Sequence, residues 1–170
     1  NETEFEIKLI GVKIFEIKSK GVEKYNKNNL VSYNSETLQN DKRKFVNLEL
    51  NKNKKEFKII GSSYKGNADL NNVIGNWWNH DILQVDSQIS PLSGSIKKQV
   101  VKLVGKENII VNNKKYLTER YKLNSKDPNT PENKKLDFDI WYNNEENLIF
   151  KIAYNKMGYW EYIVVNFEKN

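Results

Sequence analysis

Side-chain character alternates every second residue over most of this chain, and that rhythm suits one kind of backbone. Period two sends successive side chains to opposite faces of an extended strand. Val46, Leu48 and Leu50 alternate with Asn47 and Glu49. Leu136, Phe138, Ile140 and Tyr142 alternate with Asp137, Asp139 and Trp141, and Leu148, Phe150, Ile152 and Tyr154 follow a polar turn at 143–147. Near the start, Phe5, Ile7 and Leu9 alternate with charged residues. The pattern restarts after Gly11 with Val12, Ile14, Phe15 and Ile17, and Gly11 suits a bulge where the face shifts.

The connections between these runs are rich in Asn and Lys. Residues 26–29, 51–54 and 112–115 read as turns, and Asn112 and Asn113 tolerate the positive φ that a tight hairpin needs. A strand over 95–104 is expected to end at Gly105, with 109–111 then pairing with 116–123. A loop at 125–134 carries Pro128 and Pro131, and a turn at 156–158 leads into a last strand over 159–167. One stretch breaks the rhythm. Val73, Ile74, Trp77, Trp78, Ile82 and Leu83 recur at spacings of three and four, which predicts a short helix or structured loop near 70–84. Its asparagines and Gly75 are poor helix formers. Roughly ten strands with short connections predict an all-β fold, an antiparallel meander curled into a barrel or half-barrel.

A chain of 170 residues fits a single domain spanning 1–170, and no low-complexity linker divides it. No cysteine is present, so a disulfide framework and thiolate metal sites are excluded. No run approaches the roughly 18 apolar residues of a membrane-spanning helix. The formal charge is +6, but of 28 basic residues only Arg43 and Arg120 are arginines. Base-specific reading of nucleic acid leans on arginine's planar fork, so no specific nucleic-acid partner is expected. The scattered lysines read first as a solvated basic surface. A polyanion or anionic membrane is the second reading of the net charge.

Candidate chemistry is sparse. His80 is the single histidine, so a zinc site would need carboxylates for its other ligands, and neither a metal nor a cofactor is expected. His80 next to Asp81 could pair a base with its orienting group, yet no serine lies in a nucleophile pattern. Asp137 and Asp139 share a strand face with Trp141. Paired carboxylates can share a proton or bind a cation, although the solvated side of an amphipathic strand looks the same. Trp77 and Trp78 could cap a core, stack on a ligand or dock to a partner or lipid. Trp77, Trp78, His80, Asp137, Asp139 and Trp141 are the candidate ligand-binding residues, and no residue is assigned a catalytic role.

Several of these segments together resemble a known family. They are Gly75-Asn76-Trp77-Trp78-Asn79 ahead of Leu83-Gln84-Val85-Asp86, then Glu119-Arg120-Tyr121-Lys122-Leu123, then the run from Leu136 to Tyr142 and a last hairpin through Gly158. The runs at 15–25 and 30–37 fit as well. The pattern resembles bacterial exported proteins of the family called domain of unknown function 6134. That resemblance implies a β-rich, barrel-like fold and a periplasmic or cell-envelope location, and it carries over no catalytic residue. Members begin with an extra strand or hairpin ahead of the part matched here, which implies an N-terminal piece missing from this chain or a sheet edge completed by another chain.

Three roles follow as expectations. The first is a non-catalytic binding module that holds a lipid or other apolar small molecule in the concavity of a curled sheet, with Trp77 and Trp78 near the mouth. The second is an interaction subunit of an envelope assembly, held by an exposed strand edge and the Trp77-Trp78 patch. The third is an enzyme acting on glycans or esters through Asp137, Asp139, Glu119 or His80.

Overall fold

The computed structural model describes residues 2–9, 12–27, 29–155 and 158–167. The chain is all-β and antiparallel, its strands following one another as meanders in two sheets, with one 3-10 turn at His80–Leu83 as its helical element among the described residues. Gly11 and most of the turn at 156–158 lie outside the described residues. The chain's contacts group it into two compact units, residues 1–75 with 89–97, and residues 76–88 with 98–170.

The first unit holds a six-stranded sheet in sequence order: β1 (Glu2–Leu9), β2 (Val12–Asn26), β3 (Asn29–Gln39), β4 (Lys42–Asn51), β5 (Glu56–Gly61) and β6 (Lys65–Asp69). Every neighbouring pair is antiparallel, as short connections require. The β3–β4 turn puts Asn40 and Asp41 at φ 43° and 59°, a left-handed conformation that short polar side chains tolerate. One face of this sheet is closed. Tyr33, Val46, Leu48, Phe57, Ile59 and Ala68 are buried together with Ile74 of the short strand β7 (Val73–Ile74) and with Ile89.

Residues 89–97 lie across this face as a strap. Tyr33 Oη and Ser35 Oγ both donate to the Pro91 carbonyl, at 3.1 and 2.6 Å. At Gly61 the strap's backbone comes so close that a Cβ would sit 2.5 Å from the Ser93 carbonyl oxygen, so only glycine fits there. The strap turns at Pro91–Ser93, with Gly94 at φ 78°.

The second sheet runs β13-β12-β11-β10-β9-β8-β7. Its new members are β8 (Ser87–Ile89), β9 (Ile96–Val111), β10 (Lys114–Ser125), β11 (Asp137–Asn143), β12 (Leu148–Asn155) and β13 (Tyr159–Ile163). Asn112 and Asn113 adopt φ 49° and 60° between β9 and β10, as their type predicts. Gly105 does not end the strand. β9 runs on to Val111 through a bulge at this point, where Arg120 opposes Gly105 and Tyr121 opposes Leu103. A glycine within a strand is compatible with either outcome, and the alternation beyond it decides for continuation.

Candidate functional site

The register of β9 to β12 sorts the second sheet's side chains into two chemically distinct faces. Arg120 opposes Trp141 and Lys122 opposes Asp139, so these four share one face with Asp137. Trp141 in turn opposes Lys151. On the other face Tyr121 opposes Ile140 and Leu123 opposes Phe138, with Ile152 and Tyr154 beyond them.

The first face carries an ion-pair lattice. Arg120 spans two carboxylates, donating to Glu107 at 2.9 Å and to Asp139 at 2.9 and 3.0 Å. Lys122 lies 2.7 Å from Asp137 and 2.9 Å from Asp139. The indole Nε1 of Trp141 donates to Glu107 at 2.8 Å, and cations stand over its ring from Arg120 at 5.1 Å and Lys151 at 4.6 Å. Lys151 also pairs with Glu161. The Trp141 side chain is therefore covered and only 5% exposed.

These contacts fix the protonation states. Burial works against the charge on Asp139, but hydrogen bonds from Lys122 and Arg120 outweigh it and hold the carboxyl below its ordinary range. Glu107 is lowered by its hydrogen bonds from Trp141 and then Arg120. Glu161 is lowered mainly by the hydrogen bond from Lys151. Carboxylates held this way accept hydrogen bonds well and donate protons poorly. A general acid needs the opposite shift.

The second face is apolar across β11 and β12 and becomes mixed toward the β9–β10 turn, where Lys106, Asn108, Lys115 and Glu119 share it; part of it is covered by residues 76–88. Trp77 meets Phe138 edge-on with ring centroids 4.9 Å apart, and Phe138 continues to Tyr154 at 5.5 Å. His80 stacks on Tyr142 at 5.6 Å, and Ile82 is fully buried. The segment forms one 3-10 turn and no longer helix because its asparagines bond to nearby backbone. Asn79 Oδ1 accepts from the Asp81 amide at 2.9 Å, and Asn76 Oδ1 accepts from the Asn79 amide at 3.1 Å.

Gln99 of β9 fastens the segment. Its buried amide donates to the carbonyls of Ile82 and Val85 at 2.7 and 3.0 Å and accepts from Gln88 at 2.6 Å. The cover does not extend along the whole face. Past it, on the same face by register, lie Leu103, Leu117 and Ile110, which are 56%, 55% and 69% exposed.

Five of the six predicted binding residues thus fall into two groups. Trp77 and His80 lie against the apolar face, whereas Asp137, Asp139 and Trp141 belong to the ionic face. Trp78, next to Trp77, is 52% exposed. His80 Nε2 does approach Asp81, at 3.8 Å, so these adjacent residues converge. Among the described residues no cluster of three or more His, Asp or Glu side chains is arranged to hold a metal.

Sequence reasoning missed Arg120, Lys122, Glu107 and Gln99. Arg120 and Lys122 repeat at a spacing of two, as do Asp137 and Asp139, and that complementary pair of rhythms is a usable signal for the ion lattice. Gln99 carries no such signal.

The second sheet thus has a stitched ionic face and a partly covered apolar face. The chain belongs to the family described as Domain of unknown function (DUF6134), whose model matches residues 1–165. No curated protein and no solved structure matches it.

Proposed function

We propose that this protein is a non-catalytic binding module that receives an apolar ligand, such as a lipid acyl chain, on the apolar face of its second sheet. The observation that carries the reading is the continuation of that face beyond residues 76–88, where Leu103, Leu117 and Ile110 are each more than half exposed. Leu103 and Ile110 of β9 and Leu117 of β10, on the same sheet face as Phe138 and Tyr154, offer apolar contact to a flexible chain. The cover is irregular backbone fastened by Gln99 and packed through Trp77, His80 and Ile82, and a ligand can extend along the exposed strip beyond it. A periplasmic or envelope setting in a bacterium belongs to the same proposal, as the family resemblance implied.

The ionic face supports a non-catalytic role. Its carboxylates are paired with Arg120, Lys122 and Lys151, and Glu107, Asp139 and Glu161 are held below their ordinary range, away from proton donation. The test is native mass spectrometry of gently purified protein together with titration by a fluorescent fatty acid. An adduct and saturable binding are expected, weakened about tenfold or more when Leu103, Ile110 and Leu117 are together changed to Ser. A clean apo mass with no binding across a lipid panel would sink the proposal.

A second reading is the interaction subunit. It is favoured by the end strand β13, which exposes Tyr159, Tyr162 and Ile163 at 63%, 42% and 46%, and by half-exposed Trp78. A strictly monomeric protein that retains no partner from its own membrane extract would count against it.

A further inference from the structure

The longest strand of the chain is paired along most of one edge and along only the start of the other. β9 has 16 residues and meets β10 from Gln99 to Val111, whereas its second neighbour, β8, has 3 residues. Ser90 N–H donates to the Ser95 carbonyl at 2.9 Å, and Gln99 N–H donates to that of Asp86 at 2.8 Å. β8 therefore runs antiparallel beside the first residues of β9. Past Gln99, no strand among the described residues lies along this edge. Roughly 40 Å of strand, at the usual rise, is left with main-chain groups facing outward.

Hydrogen-bonding direction alternates along an antiparallel strand, and the bulge at Val104 resets the alternation. Gln99 turns its N–H away from β10, so Val101 and Leu103 turn the same way, followed beyond the bulge by Lys106, Asn108 and Ile110. Thr118 donates its hydroxyl to the Glu107 carbonyl at 2.8 Å, which agrees with Glu107 turning inward. Gly105 supplies a second observation. Glycine weakens a strand interior and often marks a place that another backbone approaches. Nothing in its own chain calls for it: its φ is not left-handed, and an added Cβ would meet no atom within 4 Å. Beside it Val104, the extra residue of the bulge, is 57% exposed.

We propose that β9 pairs along this edge with β9 of a second copy of the chain, antiparallel about a two-fold axis between Val104 and Gly105. This register sets Val101 opposite Asn108 and Leu103 opposite Lys106 of the second copy, so outward groups meet outward groups. It also sets Lys102 opposite Glu107, which the bulge places on one face, that of Arg120. Charge complementarity favours this occupant. Lys102 is exposed, opposes the cation Lys122 in its own sheet, and has no ion pair among the described residues. The Glu107 side chain is 45% exposed, and a carboxylate that holds Arg120 and Trp141 can still accept a further hydrogen bond. The symmetry forms this pair twice and brings Val104 of each copy over Gly105 of the other. Pairing through an edge moves no side chain to the other face, so the proposal stands apart from the apolar-ligand reading.

The experiment is sedimentation velocity of the full chain from about 1 to about 500 μM, with hydrogen exchange at both ends of that range. A concentration-dependent dimer is expected, in which the Val101, Leu103, Lys106 and Asn108 amides gain protection. Asn108→Pro removes an outward donor and no bond to β10, and should raise the dimer Kd on the order of a hundredfold. Gly105→Val and Lys102→Glu should each raise it about tenfold or more. Gly105→Val fills space that is empty within one copy, so the unfolding midpoint of the dilute monomer should not fall.

A chain that stays monomeric at the highest concentration would overturn the inference. So would a dimer that tolerates these changes, or one whose protection builds up on other strands, because its contact then lies elsewhere, as at the β13 edge. Lys102→Glu is a surface change and decides the matter even where Asn108→Pro does not fold. Fatty-acid binding should be unaffected in the Lys102→Glu monomer, so failure of the dimer and failure of the apolar-ligand reading are told apart.

Discussion

The two sheets follow the same in–out rhythm and end in different states. In the first, the buried face closes on its own aliphatic side chains: Val46, Leu48 and Ile59 are fully shielded, and the 89–97 strap lies over them. In the second, the apolar face is aromatic and only partly covered, and it runs out into exposed Leu103, Leu117 and Ile110. The opposite face of that sheet is tied together by ion pairs around Trp141. Alternation therefore specifies a strand and its two faces without specifying what covers either one. The cover comes from segments with no regular period, and there the two sheets part.

Substitutions should separate the two regions by size of effect. Leu48→Ala removes packing from a sealed core and should cost about 2–5 kcal/mol, read by denaturant unfolding. An effect under about 1 kcal/mol would mean that this face is not the closed core described. Gly61→Ala should cost about 1–3 kcal/mol, because the strap's Ser93 carbonyl leaves no room for a methyl group. Gln99→Leu orphans the Ile82 and Val85 carbonyls and should cost about 1–3 kcal/mol. Hydrogen exchange should then speed up over residues 76–88 while β3 to β5 keep their protection, and uniform loosening of both sheets would contradict the separation drawn here.

The ionic face should show smaller effects. Asp139→Asn leaves the network with weaker partners for Arg120 and Lys122, and its partial exposure limits the loss to about 1 kcal/mol. Its pH dependence has a definite sign. Asp139, Glu107 and Glu161 have folded-state pKa values below the ordinary 3.8 and 4.5. Their contribution is present above those ordinary values and is lost as pH falls through the lowered ones. Acid titration of stability should therefore decline below about pH 4.5, less steeply in Asp139→Asn, and an unchanged profile in that variant would remove Asp139 from the account.

Much of this fold was legible in the sequence, because period two is a direct imprint of strand geometry. The alternation from Leu136 to Tyr142 gave the strand and the partition of its side chains between two faces. The double asparagine at 112–113 gave the hairpin. The shared face of Asp137, Asp139 and Trp141 was also readable, but their partners were not. Lys122 and Arg120 reach them through a strand pairing that no local pattern announces. Gly105 was ambiguous because glycine suits both a strand end and a bulge, and the pairing with β10 decided it. The segment at 70–84 looked half helical since Trp77, Ile82 and their neighbours share a packing side, while asparagine capping of local amides kept a helix from forming.

Gln99 has a consequence for how the molecule reaches this arrangement. Were β9 to slip by one residue against β10, its amide would swing to the opposite side of the sheet and leave two carbonyls and Gln88 without their bonds. The fastening of residues 76–88 can be completed only after the hairpin has found its proper alignment, so a single side chain acts as a proofreader of strand pairing during folding.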